Sequence, residues 1–167
     1  MPKVLVLFDD TDAVASTLGE SAAEGARGVR FTEVDVRVPA TVTGSRRKVL
    51  ESPAAVSQYD GVVFAAANGP LTLALENVLG ALAEAHGSGF SNIVFGATQP
   101  DGGNLAARLL PLGGVVVGQA PAGDENAGAR ALGARVAQVG GWVRHSLAHE
   151  ESEAHSGHHH HEHHHAH

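Results

Sequence analysis

The chain contains no cysteine in 167 residues, which removes a disulfide framework, an iron–sulfur cluster, a thiolate zinc site and a cysteine nucleophile. Basic residues are in deficit. Lysine and arginine number 11 against 18 acidic residues, for a net charge of −7, so the chain lacks the basic footprint that nucleic acid demands. No apolar run approaches the ~18 residues needed to span a bilayer, so no membrane partner is expected. Met1-Pro2-Lys3 leads directly into a strand-like segment without a signal peptide, and the expected location is cytoplasmic. Aromatic residues are few, at 4%, and charged residues stand at 17%. What fills the chain is alanine, glycine and valine, with 43% hydrophobic residues, a composition of neither a disordered chain nor a coiled coil. At 17.1 kDa it has the size of one domain that buries roughly two-thirds of its unfolded surface.

The charge is unevenly distributed. The last basic residue is Arg144, and of the twelve histidines all but His86 lie in residues 145–167. The sequence therefore divides into a folded domain, 1–144, and a histidine-rich tail, 145–167, which has no apolar stripe and is expected to be disordered.

In the domain, short β-rich runs alternate with segments of helical period, the pattern of a parallel sheet covered on both faces. Lys3–Phe8 reads as a continuous apolar strand. Residues 12–27 follow as a helix, with Val14, Leu18 and Ala22 on one stripe. Val29–Val38 alternates and reads as a second strand near a sheet edge. Pro39–Pro53 reads as a connection in which Arg46, Arg47 and Lys48 are solvated, before a short helix at 54–58. Gly61–Ala66, Ser91–Gly96 and Gly114–Gly118 read as three further strands. Between and after them lie a helix through Leu71, Leu75, Val78, Leu79 and Leu82, a short helix ending at Leu109, and a last helix over 125–144 with Trp142 as a packing residue. The expected fold is an α/β, doubly wound, five-stranded parallel sheet of order 2-1-3-4-5 with helices on both faces.

Ligands of such sheets bind beyond the carboxyl ends of the strands, where the winding reverses. Three loops stand there: Asp9–Ala13, Ala66–Pro70 and Thr98–Asn104. Each precedes a helix and offers unpaired backbone N–H groups. An Asp10 or Asp12 carboxylate at such a place caps the helix. The other reading of Asp9, Asp10 and Asp101 is a holder for a cation or an amine.

Several segments resemble one known family. They are Lys3–Phe8 with Ala23-Glu24-Gly25-Ala26, then Val36-Arg37-Val38-Pro39, then Pro53 through Tyr59-Asp60-Gly61-Val62-Val63-Phe64, and Arg130–Val143. Together they are similar to the flavodoxin-like NAD(P)H:quinone oxidoreductases, also described as tryptophan-repressor-binding proteins. The resemblance implies FMN as cofactor and assembly as a homo-oligomer. It places the flavin at Asp10, Thr11, Asp12 and Ala13 for the phosphate, with Ala67, Asn68, Thr98, Gly102 and Gly103 around the ring. The chain departs from the family at these loops. The pattern has serine at 10, glycine at 13 and histidine at 14, where this chain has Asp10, Ala13 and Val14. A proline–threonine–arginine–phenylalanine–glycine wall is replaced by Ala65–Pro70, and the histidine before the last strand falls on Pro111 or Leu112. One carboxylate ~5 Å from a phosphate charge costs roughly 3 kcal/mol at an effective dielectric of 20, about two decades of affinity. The expectation is a degenerate FMN site with lost or weakened binding, no catalytic residue, and a binding role toward a small molecule or metal ion. The alternative is an active FMN-dependent NAD(P)H:quinone oxidoreductase or electron-transfer flavoprotein. Asp9-Asp10 also resembles the acidic pair of response-regulator receiver domains. Ala65–Ala67 occupies the phosphoacceptor position, however, and Gly118-Gln119 the lysine position, so phosphotransfer lacks its residues.

The tail supplies imidazoles for Ni²⁺, Zn²⁺, Co²⁺ or Cu²⁺. The expected ligands are His155, His158, His159, His160, His161, His163, His164, His165 and His167. Glu162 and Ala166 interrupt the run, which a purification tag, the alternative origin, would leave continuous. A flexible run of this kind captures or buffers divalent metal rather than building a catalytic centre.

Overall fold

Strand β1 (Lys3–Leu7), helix α1 (Ala13–Arg27), β2 (Glu33–Pro39), β3 (Lys48–Leu50), β4 (Gly61–Ala65), α2 (Leu73–Glu84), β5 (Val94–Thr98), α3 (Leu105–Leu109), β6 (Val115–Val116) and α4 (Glu125–Ser156) follow in chain order. Single 3-10 segments cover Pro53–Gln58 and Leu110–Leu112. The computed structural model describes residues 1–85, 89–99, 105–118 and 124–156. In it six strands pair in parallel in the order β3-β2-β1-β4-β5-β6. His86 lies outside the described residues.

Because strand side chains alternate between faces, β1 sends Leu5 and Leu7 to one core and Val4 and Val6 to the other, while β4 divides Val62 and Phe64 from Val63 and Ala65 in the same way. The first core is closed by Leu75, Val78, Leu79 and Leu82 of α2 and by Leu105 and Leu109 of α3. The second is closed by α1 and α4, through Ala15, Leu18, Ala22, Leu132 and Val136. These two helices pack through small residues. A Cβ placed on Gly25 would stand 1.8 Å from the Arg130 carbonyl oxygen, and one on Gly133 would stand 1.9 Å from that of Ala22. The sheet makes the same concession to α4, since a Cβ on Gly96 would lie 2.8 Å from Val136.

The structure corrects several expectations. The order 2-1-3-4-5 holds for five of the strands, but Lys48–Leu50, expected in a connection, adds a sixth beside β2 through the pairs Arg37–Lys48, Val38–Val49 and Pro39–Leu50. Three residues are too few to show a period, and the second strand accordingly lies one place in from the edge. The stripe of α1 is set by Ala15, Leu18, Ala22 and Ala26, whereas Val14 is 49% exposed. Trp142 is 68% exposed rather than packed. The strand expected at Ser91–Gly96 pairs instead over Val94–Thr98.

The last helix, expected to end at Arg144, continues to Ser156. Its buried residues end at Gly140, so beyond the packed part it is extended by good helix formers such as Leu147, Ala148, Glu150, Glu151 and Ala154. Propagation from a packed helix avoids the nucleation cost that an isolated segment bears, and composition does not register this. Residues 157–167 lie outside the described residues.

Candidate functional site

The winding reverses at β1, which has β2 on one side and β4 on the other. The loop after β1 is organised by its own carboxylates. Asp12 is the N-cap of α1, and its Oδ1 accepts from the backbone N–H of Val14 at 2.9 Å and of Ala15 at 3.2 Å. Asp9 is 6% exposed, and its Oδ1 accepts from the Thr11 N–H at 3.0 Å and the Thr11 hydroxyl at 2.7 Å. Burial opposes the ionisation of Asp9. The hydrogen bonds from the Thr11 hydroxyl and the Thr11 backbone N–H, with the Thr72 side chain nearby, outweigh it and hold the carboxyl below its ordinary range.

Asp10 turns outward to the connection between β2 and β3. It accepts from the Ser45 hydroxyl and faces Arg47, whose Nη1 is 3.3 Å from Asp10 Oδ2. The other guanidinium nitrogen lies 3.0 Å from Glu20 on α1, and the group stands 5.2 Å from the ring centre of buried Phe8. Arg47, expected in a solvated loop, is therefore a strap over the acidic turn, stabilised by two carboxylates and one ring face.

The second loop, after β4, is tied to β5. Thr98 is fully buried, and its hydroxyl accepts from the Ala66 N–H at 3.3 Å. Gln99, 2% exposed, donates through Nε2 to the Ala67 and Gly69 carbonyls and accepts the Leu105 N–H at the start of α3. This glutamine fixes the crevice wall. Sequence reasoning passed over it, because a glutamine after a strand carries no motif and its three partners lie on two other segments.

Among the residues expected at the flavin, Asp10, Thr11, Asp12 and Ala13 share one turn, while Ala67 and Asn68 stand on the facing loop. Thr98 is committed to the interior. Gly102 and Gly103 lie outside the described residues, as do Asp101 and all the expected metal ligands except His155, which is on α4. Between the two described loops, lined by Asp9, Asp12, Ala65, Ala66, Ala67, Pro70, Leu71 and Thr72, the cavity measures about 10 Å³. That is room for about one water molecule.

A phosphate at this turn would need the amides that open α1. Two of them are given to Asp12, the outer carboxylate of the turn is held by Arg47, and the space beside them is closed. The described residues do not fit a bound FMN phosphate in this arrangement. Among them no group of three or more histidine, aspartate or glutamate residues is placed to hold a metal ion, and no helix is long and apolar enough to cross a membrane.

No family model and no curated protein matches the chain. Solved structures do match. A Streptococcus pneumonia TIGR4 flavodoxin superposes with a TM-score of 0.61 at 12% identity, over 81% of this chain and 97% of its own. The chain has the flavodoxin-like fold. A short-chain flavodoxin associated with a non-canonical PDU bacterial microcompartment reaches a TM-score of 0.65 at 8% identity, covering 84% and 99%. The flavodiiron protein from Giardia intestinalis gives 0.59 at 12%, covering 84% of this chain and 36% of that one. At such identities the likeness concerns the path of the backbone, and chemistry must be argued from the loops.

Proposed function

We propose that this chain is a flavodoxin-like binding protein, akin to the NAD(P)H:quinone oxidoreductases in scaffold, whose FMN site has been taken over by its own carboxylates. Its role would be capture of divalent metal through the histidines of residues 155–167. The observation that carries the flavin part is Asp12 Oδ1 on the Val14 and Ala15 amides. An internal carboxylate has no translational entropy to lose, so it competes for those donors at high effective concentration. It also repels the incoming dianion, as do Asp9 and Asp10. Flavin fluorescence titration tests this reading. The expected result is no saturation at submicromolar FMN, with affinity rising at least tenfold when Asp10 and Asp12 are both replaced by serine, which removes two negative charges and leaves only a neutral, weaker acceptor competing for the amides. Submicromolar binding by the unaltered chain would overturn the proposal and favour the oxidoreductase reading.

The metal part is supported by composition alone, since neutral imidazoles in number suit Ni²⁺, Cu²⁺, Co²⁺ and Zn²⁺. Calorimetry with NiCl₂ should show several equivalents on the full chain and a loss of most of them when the nine histidines from 155 onward are replaced by glutamine. Equal heats for the two chains would remove the metal role from that segment.

A further inference from the structure

His145 and His149 lie outside that tract, on the described part of α4. They are four residues apart on one helix, so their side chains project from the same face one turn apart. Both are exposed. Their Nε2 atoms approach to 3.1 Å, and the rings meet edge to face with centres 4.6 Å apart. Between two neutral imidazoles so placed, an Nε2–H on one ring donates to the Nε2 of the other, and with both rings carrying their proton on Nδ1 both Nε2 lone pairs are open to one cation. For nitrogens ~2.1 Å from a shared ion, a right-angled pair stands about 3.0 Å apart and a tetrahedral pair about 3.4 Å. The observed 3.1 Å separation lies within this span and nearer the right-angled value, a geometry that Ni²⁺ and Cu²⁺ accept.

We propose that His145 and His149 form a two-point chelate for Ni²⁺ or Cu²⁺, the remaining positions of the ion being filled by water. The pair lies beyond Gly140, the last buried residue of α4, and beyond Val143, which still packs against the second core. An ion bridging positions i and i+4 fixes one turn in helical geometry, so binding and local order are coupled in both directions. The proposal uses neither the β1 loop nor the histidines from 155 onward, and it stands whether or not those bind anything.

The chain carries a built-in reporter. Trp142 is the only tryptophan, is 68% exposed and precedes His145 by three residues, about 5 Å along the helix axis. A paramagnetic ion held by the pair should quench its fluorescence. The experiment uses the full chain with the nine histidines from 155 onward replaced by glutamine, titrated with NiCl₂ while tryptophan emission and far-ultraviolet circular dichroism are followed. The expected result is one saturable equivalent that quenches Trp142 and increases helical ellipticity. His145→Gln and His149→Gln should each weaken it at least tenfold. The double change His149→Gln with Glu150→His keeps the number of imidazoles but moves one off the shared face, and should behave like His149→Gln alone. Absence of saturable quenching in the parent, equal affinity in the single variants, or full binding by the shifted pair would each overturn the chelate. These outcomes leave the 155–167 reading untouched, because its histidines are missing from every chain compared.

Discussion

At the scale of single residues, Asp12 serves as a cap where a phosphate would otherwise sit. Removing its side chain with Asp12→Ala orphans the Val14 and Ala15 amides, and should lower the stability read by urea denaturation by about 1 kcal/mol. Asp12→Ser should recover most of that, since a hydroxyl can accept from the same amides. This role is legible in the sequence, where an aspartate immediately precedes a helical period. Arg47 is not legible in the same way. It stands 37 positions from Asp10, and nothing local distinguishes it from its neighbours Arg46 and Lys48. Only the run of β3 alongside β2 carries it back over the turn. Gln99 is hidden for a similar reason, as its worth lies in being buried between two loops with both ends of its amide occupied.

At the scale of elements, the α1–α4 contact depends on glycines that let two backbones touch. Gly133→Ala would push a methyl group against the Ala22 carbonyl, and the helices can relieve it only by separating along their shared face. A loss of about 1–3 kcal/mol is expected. Gly80→Ala is the contrasting change, because no atom lies within 4 Å of the added Cβ on α2. It should hold stability level or raise it by about 0.5–1 kcal/mol through helix propensity and reduced freedom of the unfolded chain. Thermal unfolding of the two variants side by side checks the contrast. Apolar periodicity located most of the long elements, because a helix or a buried strand repeats its signal over several turns or pleats. It missed β3, three residues long, and placed the end of α4 at Arg144, because exposed helix beyond the core has no apolar stripe to reveal it.

At the scale of the whole molecule, β2 is tied to the first core by the hydroxyl of Tyr59. The Tyr59 hydroxyl donates to Asp35 Oδ2 at 2.8 Å, with Lys3 and Arg37 3.8 and 3.7 Å from the same oxygen. Burial, followed by the hydrogen bond and charge of Asp35, pushes the Tyr59 hydroxyl up to about 12. A group that binds its proton more tightly when folded contributes stability that is complete below the unfolded pKa of about 10 and is lost as pH rises through about 12. Denaturant midpoints should therefore fall between pH 10 and 12, and fall less in Tyr59→Phe. An equal decline in both proteins would show that this tyrosine does not govern the alkaline limit. The sequence by itself determined the layered α/β class, the order of five strands and the acidic character of the β1 loop, because periodicity and local charge are properties of neighbours along the chain. The tertiary structure alone decided that Arg47 covers that loop and that Gln99 closes its facing wall. It also decided that α4 carries His145 and His149 out beyond the core, since each of these depends on where distant segments are brought to rest.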